Sequence, residues 1–429
     1  MGIKGMSVIE AFGARVGTLA ETDPERARRF LNTGFRANGL KNRLFPGPAS
    51  KSEQMLFQSV NRSMVTCLAK PERNVMVSLF TPCELLHIQG LHPYSCEGFS
   101  SYLSGSMAEQ PFLRRAEEAG LPTTLCSYHK VFIGAAQNGF MPRPKFILST
   151  TLACDANLLT FRHLAEVFEV PHFTVDVPFE SSPQAVDYVA GQLRQMGEFI
   201  AKQTGVPIDE GKLRQSVARS KRTMETFAST LTGRRGKQLL SNLTGELYRT
   251  AALHFLLGTQ EMEDWAIQLL RETETAPPST GIRLLWVHTT PYWVEPLRKL
   301  FQYNPAVQIV GCDMSYEGIC DTDPEKPYEA MAKRLVYSPF NGPVSRRIDR
   351  ALEVARQVEA DGAVWFCHWG CKHTLGGARL GKKKFEEAGL PTLLLDGDSC
   401  DRGFGGEGQA ATRMEAFLEM LAQRREAAT

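Results

Sequence analysis

Short, unbroken apolar runs punctuate the chain, each followed by a turn rich in Pro, Gly, Asp or Cys. Asn74-Val75-Met76-Val77-Ser78-Leu79-Phe80, Lys145-Phe146-Ile147-Leu148-Ser149-Thr150 and Pro171-His172-Phe173-Thr174-Val175-Asp176-Val177-Pro178 are the first three. Runs of this length, apolar on both faces, predict strands buried in a parallel sheet. A helical stretch near 108–119 lies between them, so residues 73–180 predict a βαβαβ-like domain. A second set at 282–288, 307–313, 363–366 and 391–395 predicts another α/β domain over 277–429, closed by a helix at about 409–423.

Elsewhere the apolar positions recur at helical spacing. Residues 1–72 predict a helical N-terminal part, with Ser7-Val8-Ile9-Glu10 and Asp23-Pro24-Glu25-Arg26 as helix starts, the second carrying proline just inside. Residues 181–276 predict an intervening helical segment, through Val186, Val189, Leu193 and Met196, which ends at the linker Pro277-Pro278-Ser279-Thr280-Gly281. The fold class is therefore α/β, with two flavodoxin-like or Rossmann-like parallel-sheet domains. No GxGxxG or Walker-type loop directly follows any predicted strand, which argues against a dinucleotide or nucleoside triphosphate held in those manners.

A length of 429 residues allows roughly two to four domains, and a formal charge of +2 supplies no bulk field for nucleic acid or an anionic membrane. No apolar run approaches the ~18 residues of a membrane span. The stretch from Met1 to Ser7 has no long apolar region of a secretory signal, and Met6 stands where a myristoylation signal at Gly2 would need Ser or Thr. These features predict a cytoplasmic protein.

Ten cysteines stand at 67, 83, 96, 126, 154, 312, 320, 367, 371 and 400, with no CxxC pair. A cytoplasmic chain of this length needs no disulfide staples, so metal, redox or plain burial remain. Zinc ribbons and compact ferredoxin clusters use close pairs and are disfavoured. Cys83, Cys126, Cys154, Cys312, Cys367 and Cys371 fall at or near strand ends or loops of the two α/β domains. In open α/β sheets the carboxyl edge is where ligands bind. If the domains face each other, these loops would converge on one cleft and suit an iron–sulfur cluster gathered from distant loops, although ordinary buried thiols fit the spacing too. In Thr81-Pro82-Cys83-Glu84, Thr81 predicts a helix cap with Pro82 at the first position, and Glu84 is either a first-turn charge or a reactive carboxylate.

Phe80-Thr81-Pro82-Cys83-Glu84-Leu85-Leu86-His87, Leu125-Cys126, Ala153-Cys154-Asp155, His368-Trp369-Gly370-Cys371-Lys372 and Leu395-Asp396-Gly397-Asp398 are followed by Gly408-Gln409 and Arg413-Met414-Glu415-Ala416-Phe417. In this order, over roughly residues 70–429, the set resembles the 2-hydroxyacyl-CoA dehydratase family, which includes benzoyl-CoA reductase subunits and double-cubane proteins. The resemblance implies a 4Fe-4S cluster on Cys126, Cys154 and Cys371, with Cys371 preferred to Cys367 because the family's late cysteine precedes a helix. A double cubane would need further thiols; Val287-His288-Thr289-Thr290 stands where such members carry a cysteine, while Cys83 and Cys312 keep that alternative open. The implied reaction is loss of water from a 2-hydroxyacyl-CoA through a ketyl radical, after an ATP-dependent activator iron–sulfur protein injects one electron. Glu84 and His87 are candidates for proton transfer, and Gln409 and Arg413 for a CoA phosphate. A related subunit or a second copy would complete a dimer; an electron-transferring scaffold subunit, or a reductase, is the alternative function.

Overall fold

The computed structural model describes residues 7–428, so the Gly2 considered for acylation lies outside the described residues. Two four-stranded, fully parallel sheets organise the chain. In the first, β1 (Asn74–Val77), β2 (His92–Ser95), β3 (Ile147–Thr150) and β4 (His172–Val175) lie in the order β2-β1-β3-β4. In the second, β5 (Ile282–Val287), β6 (Val307–Cys312), β7 (Gly362–His368) and β8 (Thr392–Gly397) lie in the order β6-β5-β7-β8. The central strands β1, β3 and β7 are buried along their whole length, which explains their continuous apolar runs. The expectation of two parallel α/β sheets holds. Each sheet reverses its strand order once, between β1 and β3 and between β5 and β7, and such switch points leave a crevice at the carboxyl ends.

Three helices, Val8–Thr22, Pro24–Leu44 and Lys51–Ala69, precede the first sheet. Ser7 and Glu10 form a reciprocal capping box on the first, and Asp23 caps the second with Pro24 just inside it, as their sequences predict. Four long helices, Pro183–Thr204, Glu210–Gly233, Leu243–Phe255 and Gln260–Thr275, connect the sheets. One buried core runs through both: Val75, Val77 and Leu148 share it with Leu284, Trp286, Val364 and Phe366. Among the described residues no helix is long and apolar enough to cross a membrane.

Two local expectations change. The edge strand β2 reads His92-Pro93-Tyr94-Ser95, which carries no strand signal, and it exists because it pairs in register with β1. The helix after β1 starts later than its Thr-Pro turn suggests. It spans Glu84–Ile88 with Cys83 at the cap position, while the Thr81 hydroxyl bonds the Ser78 hydroxyl at 2.9 Å.

Candidate functional site

The switch-point loops of the two sheets meet around a cavity of about 160 Å³. Leu79 and Phe80 reach it from the end of β1, Ala153 and Cys154 from β3, His288 to Thr290 from β5, Cys312 and Met314 from β6, and His368 and Cys371 from β7. Cys126 enters from the loop before the helix Ser127–Gln137. Of the six strand-end and loop cysteines, Cys126, Cys154, Cys312 and Cys371 line the cavity. Cys83 and Cys367 do not. Cys83 is buried with its thiol against the Thr81 carbonyl oxygen at 3.2 Å, and Cys367 packs with Trp365 and Phe385 in another core.

Cys126, Cys154 and Cys371 share a local setting that follows from their sequence. Each is the residue immediately before a helix, so its side chain sits at an end where backbone N–H groups lack intrahelical partners. N–H groups of Asn157 and Ala156 face the Cys154 sulfur, and those of Thr374 and His373 face the Cys371 sulfur. Gly370 brings two of these turns together. Its φ is +75°, and a Cβ there would lie 2.5 Å from the Cys126 nitrogen, so only glycine lets the Trp369-Gly370-Cys371 turn close on Cys126.

Burial is the main force opposing thiolate formation at all three. It pushes the Cys154 thiol up to about 11, with Cys371 adding to the effect. Burial likewise raises Cys126, reinforced by Cys371, Asp398 and Cys154, and raises Cys371, against the N–H of Thr374. Three thiols that oppose one another's ionisation this way are stabilised as thiolates by a bound cationic centre. Among the described residues no three His, Cys, Asp or Glu side chains close around a single ion. A cubane asks for a wider set, because each cysteine binds a different iron, and three soft donors with donor N–H groups around their sulfurs fit that group.

Histidines surround the sulfurs. His368 Nδ1 accepts from the Ser399 N–H at 3.1 Å, so a neutral ring carries its proton on Nε2, which faces the Cys126 sulfur at 3.2 Å. Burial keeps that ring below its ordinary pKa despite Asp398 nearby. Asp398 anchors the same corner, accepting from the Ser127 hydroxyl at 2.6 Å and from the backbone N–H of Cys400 and Asp401 at 2.7 Å. His129 bonds Thr160 through Nδ1 at 2.9 Å and turns Nε2 toward Cys154 at 3.8 Å.

At the end of β5, next to the strand that carries His368, His288 has φ +80°, an uncommon conformation for a side-chain-bearing residue, held by its N–H bond to Asp313 at 2.7 Å. Its buried Nδ1 has no hydrogen-bond partner among the described residues. Burial, then the charge of Arg347, hold this imidazole well below its usual pKa. Arg347 itself stands behind the wall: Nε donates to Asp313 at 2.7 Å, Nη1 lies 3.1 Å from His373 Nδ1, and the guanidinium covers the Phe340 ring at 4.4 Å.

The other candidate residues stand elsewhere. Glu84 is buried in an ion pair with Arg334, accepts from the Ser220 hydroxyl at 2.7 Å, and borders a smaller cavity of about 50 Å³. His87 lines neither cavity, and burial lowers its pKa to about 4. Arg413 pairs with Asp396 at 3.0 Å and donates to the Leu394 carbonyl, which ties the last helix, Glu407–Ala428, to β8. Gln409 is exposed one turn earlier on that helix. The residues that sequence reasoning assigned no role, His368, His129 and His288, had one local signal each: they flank a cysteine or end a strand.

Residues 78–421 match the family described as 2-hydroxyglutaryl-CoA dehydratase, D-component. The chain is 22% identical to the (R)-phenyllactyl-CoA dehydratase alpha subunit of Clostridium sporogenes, over 81% of this chain and 89% of that subunit. It is 21% identical to a benzoyl-CoA reductase subunit of Thauera aromatica over 73% and 80%, and 22% identical to the beta subunit of the C. sporogenes dehydratase over 80% and 90%. With most of its length matched, the chain belongs to the 2-hydroxyglutaryl-CoA dehydratase D-component family, whose members are lyase-type 2-hydroxyacyl-CoA dehydratases and related reductase subunits.

Proposed function

We propose that this chain is the iron–sulfur subunit of a 2-hydroxyacyl-CoA dehydratase, removing water from its substrate after one-electron activation by an ATP-dependent iron–sulfur partner. The observation that carries the reading is the convergence of Cys126, Cys154 and Cys371, from three separate loops, on one cavity at the carboxyl ends of both sheets. These three thiolates would hold a 4Fe-4S cluster, which would supply a low-potential electron and a Lewis-acidic iron.

The chain's own residues do the rest. The His368 Nε2–H donates to the Cys126 sulfur, spreading thiolate charge and fixing that ligand's orientation. His288, kept neutral, presents an unpartnered nitrogen for the substrate's hydroxyl or carbonyl. The apolar walls, Leu79, Phe80 and Phe340 among them, exclude water, which would otherwise protonate a ketyl radical anion and weaken the polar contacts inside the site. A related subunit is the expected partner, since the dehydratase relatives are alpha and beta subunits. The likeness to a benzoyl-CoA reductase subunit supports acyl-CoA reduction as the second reading; product analysis separates a reduced acyl-CoA from an enoyl-CoA.

Anaerobic purification with iron and sulfide counting and low-temperature EPR tests the proposal. About one 4Fe-4S cluster per chain is expected, lost in each of Cys126→Ala, Cys154→Ala and Cys371→Ala and kept in Cys367→Ala and Cys67→Ala. Near-stoichiometric zinc without labile sulfide would end it.

A further inference from the structure

The wall of the cavity supplied by helices Lys51–Ala69, Cys96–Gly105 and Leu243–Phe255 differs from the wall that carries the sulfurs. Its apolar part is Val60, Tyr102, Leu247, Tyr248, Ala251 and Phe255, and the same helices bring Glu97, Ser101, Glu246 and Thr250 to its edge. Tyr102 and Tyr248 stack with ring centroids 6.0 Å apart and an interplanar angle of 15°. No lysine or arginine lines the cavity among the described residues; its charged lining consists of two acids, Glu97 and Glu246. Arg249, one turn along the helix from Glu246, is already spent in a 2.5 Å bond to that carboxylate, and Arg347 is paired with Asp313 behind Phe340. A second cavity of about 420 Å³, which Arg298 borders, adjoins the first across Ser101, Tyr102, Leu247 and Tyr248.

From this lining we infer that the enzyme takes a 2-hydroxyacyl-CoA whose acyl group is uncharged and apolar, an alkyl or aryl chain, and rejects acyl groups that end in a carboxylate. The inference rests on the acyl-CoA reading above and deepens it. A buried carboxylate without a counter-charge loses its hydration for nothing in return, and here the charged groups of the lining are Glu97 and the already paired Glu246. An alkyl or aryl group gains contact with Tyr102, Tyr248 and Phe255 without losing hydrogen bonds to water.

The test uses the anaerobic, cluster-loaded protein with any subunit that co-purifies, and two acyl-CoAs that lack the hydroxyl and so bind without turnover. 5-Methylhexanoyl-CoA and glutaryl-CoA have the same chain and end in an isopropyl group or a carboxylate of nearly equal size. Calorimetry should give at least about 100-fold tighter binding for the first, the scale set by an unpaired buried ion. Leu247→Arg, which offers the missing counter-charge on the shared wall, should cut that ratio at least about 10-fold. Equal or tighter binding of glutaryl-CoA, with the cluster's EPR signal perturbed by both, would overturn the inference and leave the dehydratase reading standing. An unchanged ratio in Leu247→Arg would also overturn it, because the acyl group would then sit elsewhere. Binding of neither compound would overturn the acyl-CoA reading itself.

Discussion

Glu84 shows what a residue's neighbours in space add to its neighbours in sequence. Seen locally, it is a first-turn carboxylate whose loss should cost no more than about 1 kcal/mol. In the fold its carboxylate is buried and meets Arg334, 250 positions away, together with Ser220. Glu84→Gln leaves the largely buried guanidinium without its partner, so we expect a loss of about 3 kcal/mol in urea unfolding of the anaerobic protein. Adding Arg334→Met should return most of it, since the pair rather than either charge is what the site requires. A loss below about 1 kcal/mol accompanied by a 10²-fold fall in kcat would instead make Glu84 a proton-handling group. The cysteines were more legible through the family resemblance than through position, since Cys83 also stands between a strand and a helix yet misses the cavity, and Cys126 lies between two helices. His368 was not: its role depends on Ser399, 31 positions on, occupying Nδ1 and so directing the other nitrogen to Cys126, itself 242 positions away.

At the scale of elements, the long apolar runs declared themselves because a strand buried on both faces is apolar along most of its length; β7, apolar from Gly362 to Cys367, is such a case. β2 did not, since an edge strand of four residues draws its identity from β1. Helix packing hides its chemistry in the same way. Glu53, on the helix Lys51–Ala69, is buried against Asn242, whose Nδ2 donates to it at 3.1 Å. A Cβ on Gly245 would come within 2.6 Å of the same carboxylate, so the helix Leu243–Phe255 approaches through a glycine. Burial raises the Glu53 pKa from 4.5 to about 7, outweighing the bond from Tyr303. The folded state thus holds this proton more tightly than the unfolded chain. Its contribution is fully present below pH 4.5 and is lost as pH rises through about 7. Glu53→Gln, neutral at every pH, should flatten the decline in stability between pH 5 and 8 and be more stable than the native protein at pH 8, by about 3 kcal/mol at most. A native protein whose unfolding midpoint rises over that range as much as the variant's would refute the buried, protonated Glu53.

The whole molecule places its candidate site where neither half could build it alone. Cys154 comes from the first sheet, Cys371 and His288 from the second, and a single core that joins both sheets fixes the distance between them. On the proposed reading this arrangement would give the chain a place to receive an electron, while none of its described strands leads directly into a Walker-type loop that could energise one. Removing a hydroxyl next to a thioester carbonyl has no acidic hydrogen on the neighbouring carbon to exploit by ordinary acid–base elimination, so the proposed reaction requires a strongly reducing electron delivered from outside. The purified protein, with its partner subunit, should therefore neither hydrolyse ATP nor dehydrate a 2-hydroxyacyl-CoA by itself. Supplying an activator ATPase, reductant and MgATP should start turnover, and because the electron is recycled, far fewer ATP than product molecules should be consumed. The comparison is made on one preparation by following enoyl-CoA formation and phosphate release together. Turnover that is equally fast without ATP and without reductant would mean that the cavity works by proton transfer alone, and the cluster assigned to Cys126, Cys154 and Cys371 would then have no part in the chemistry.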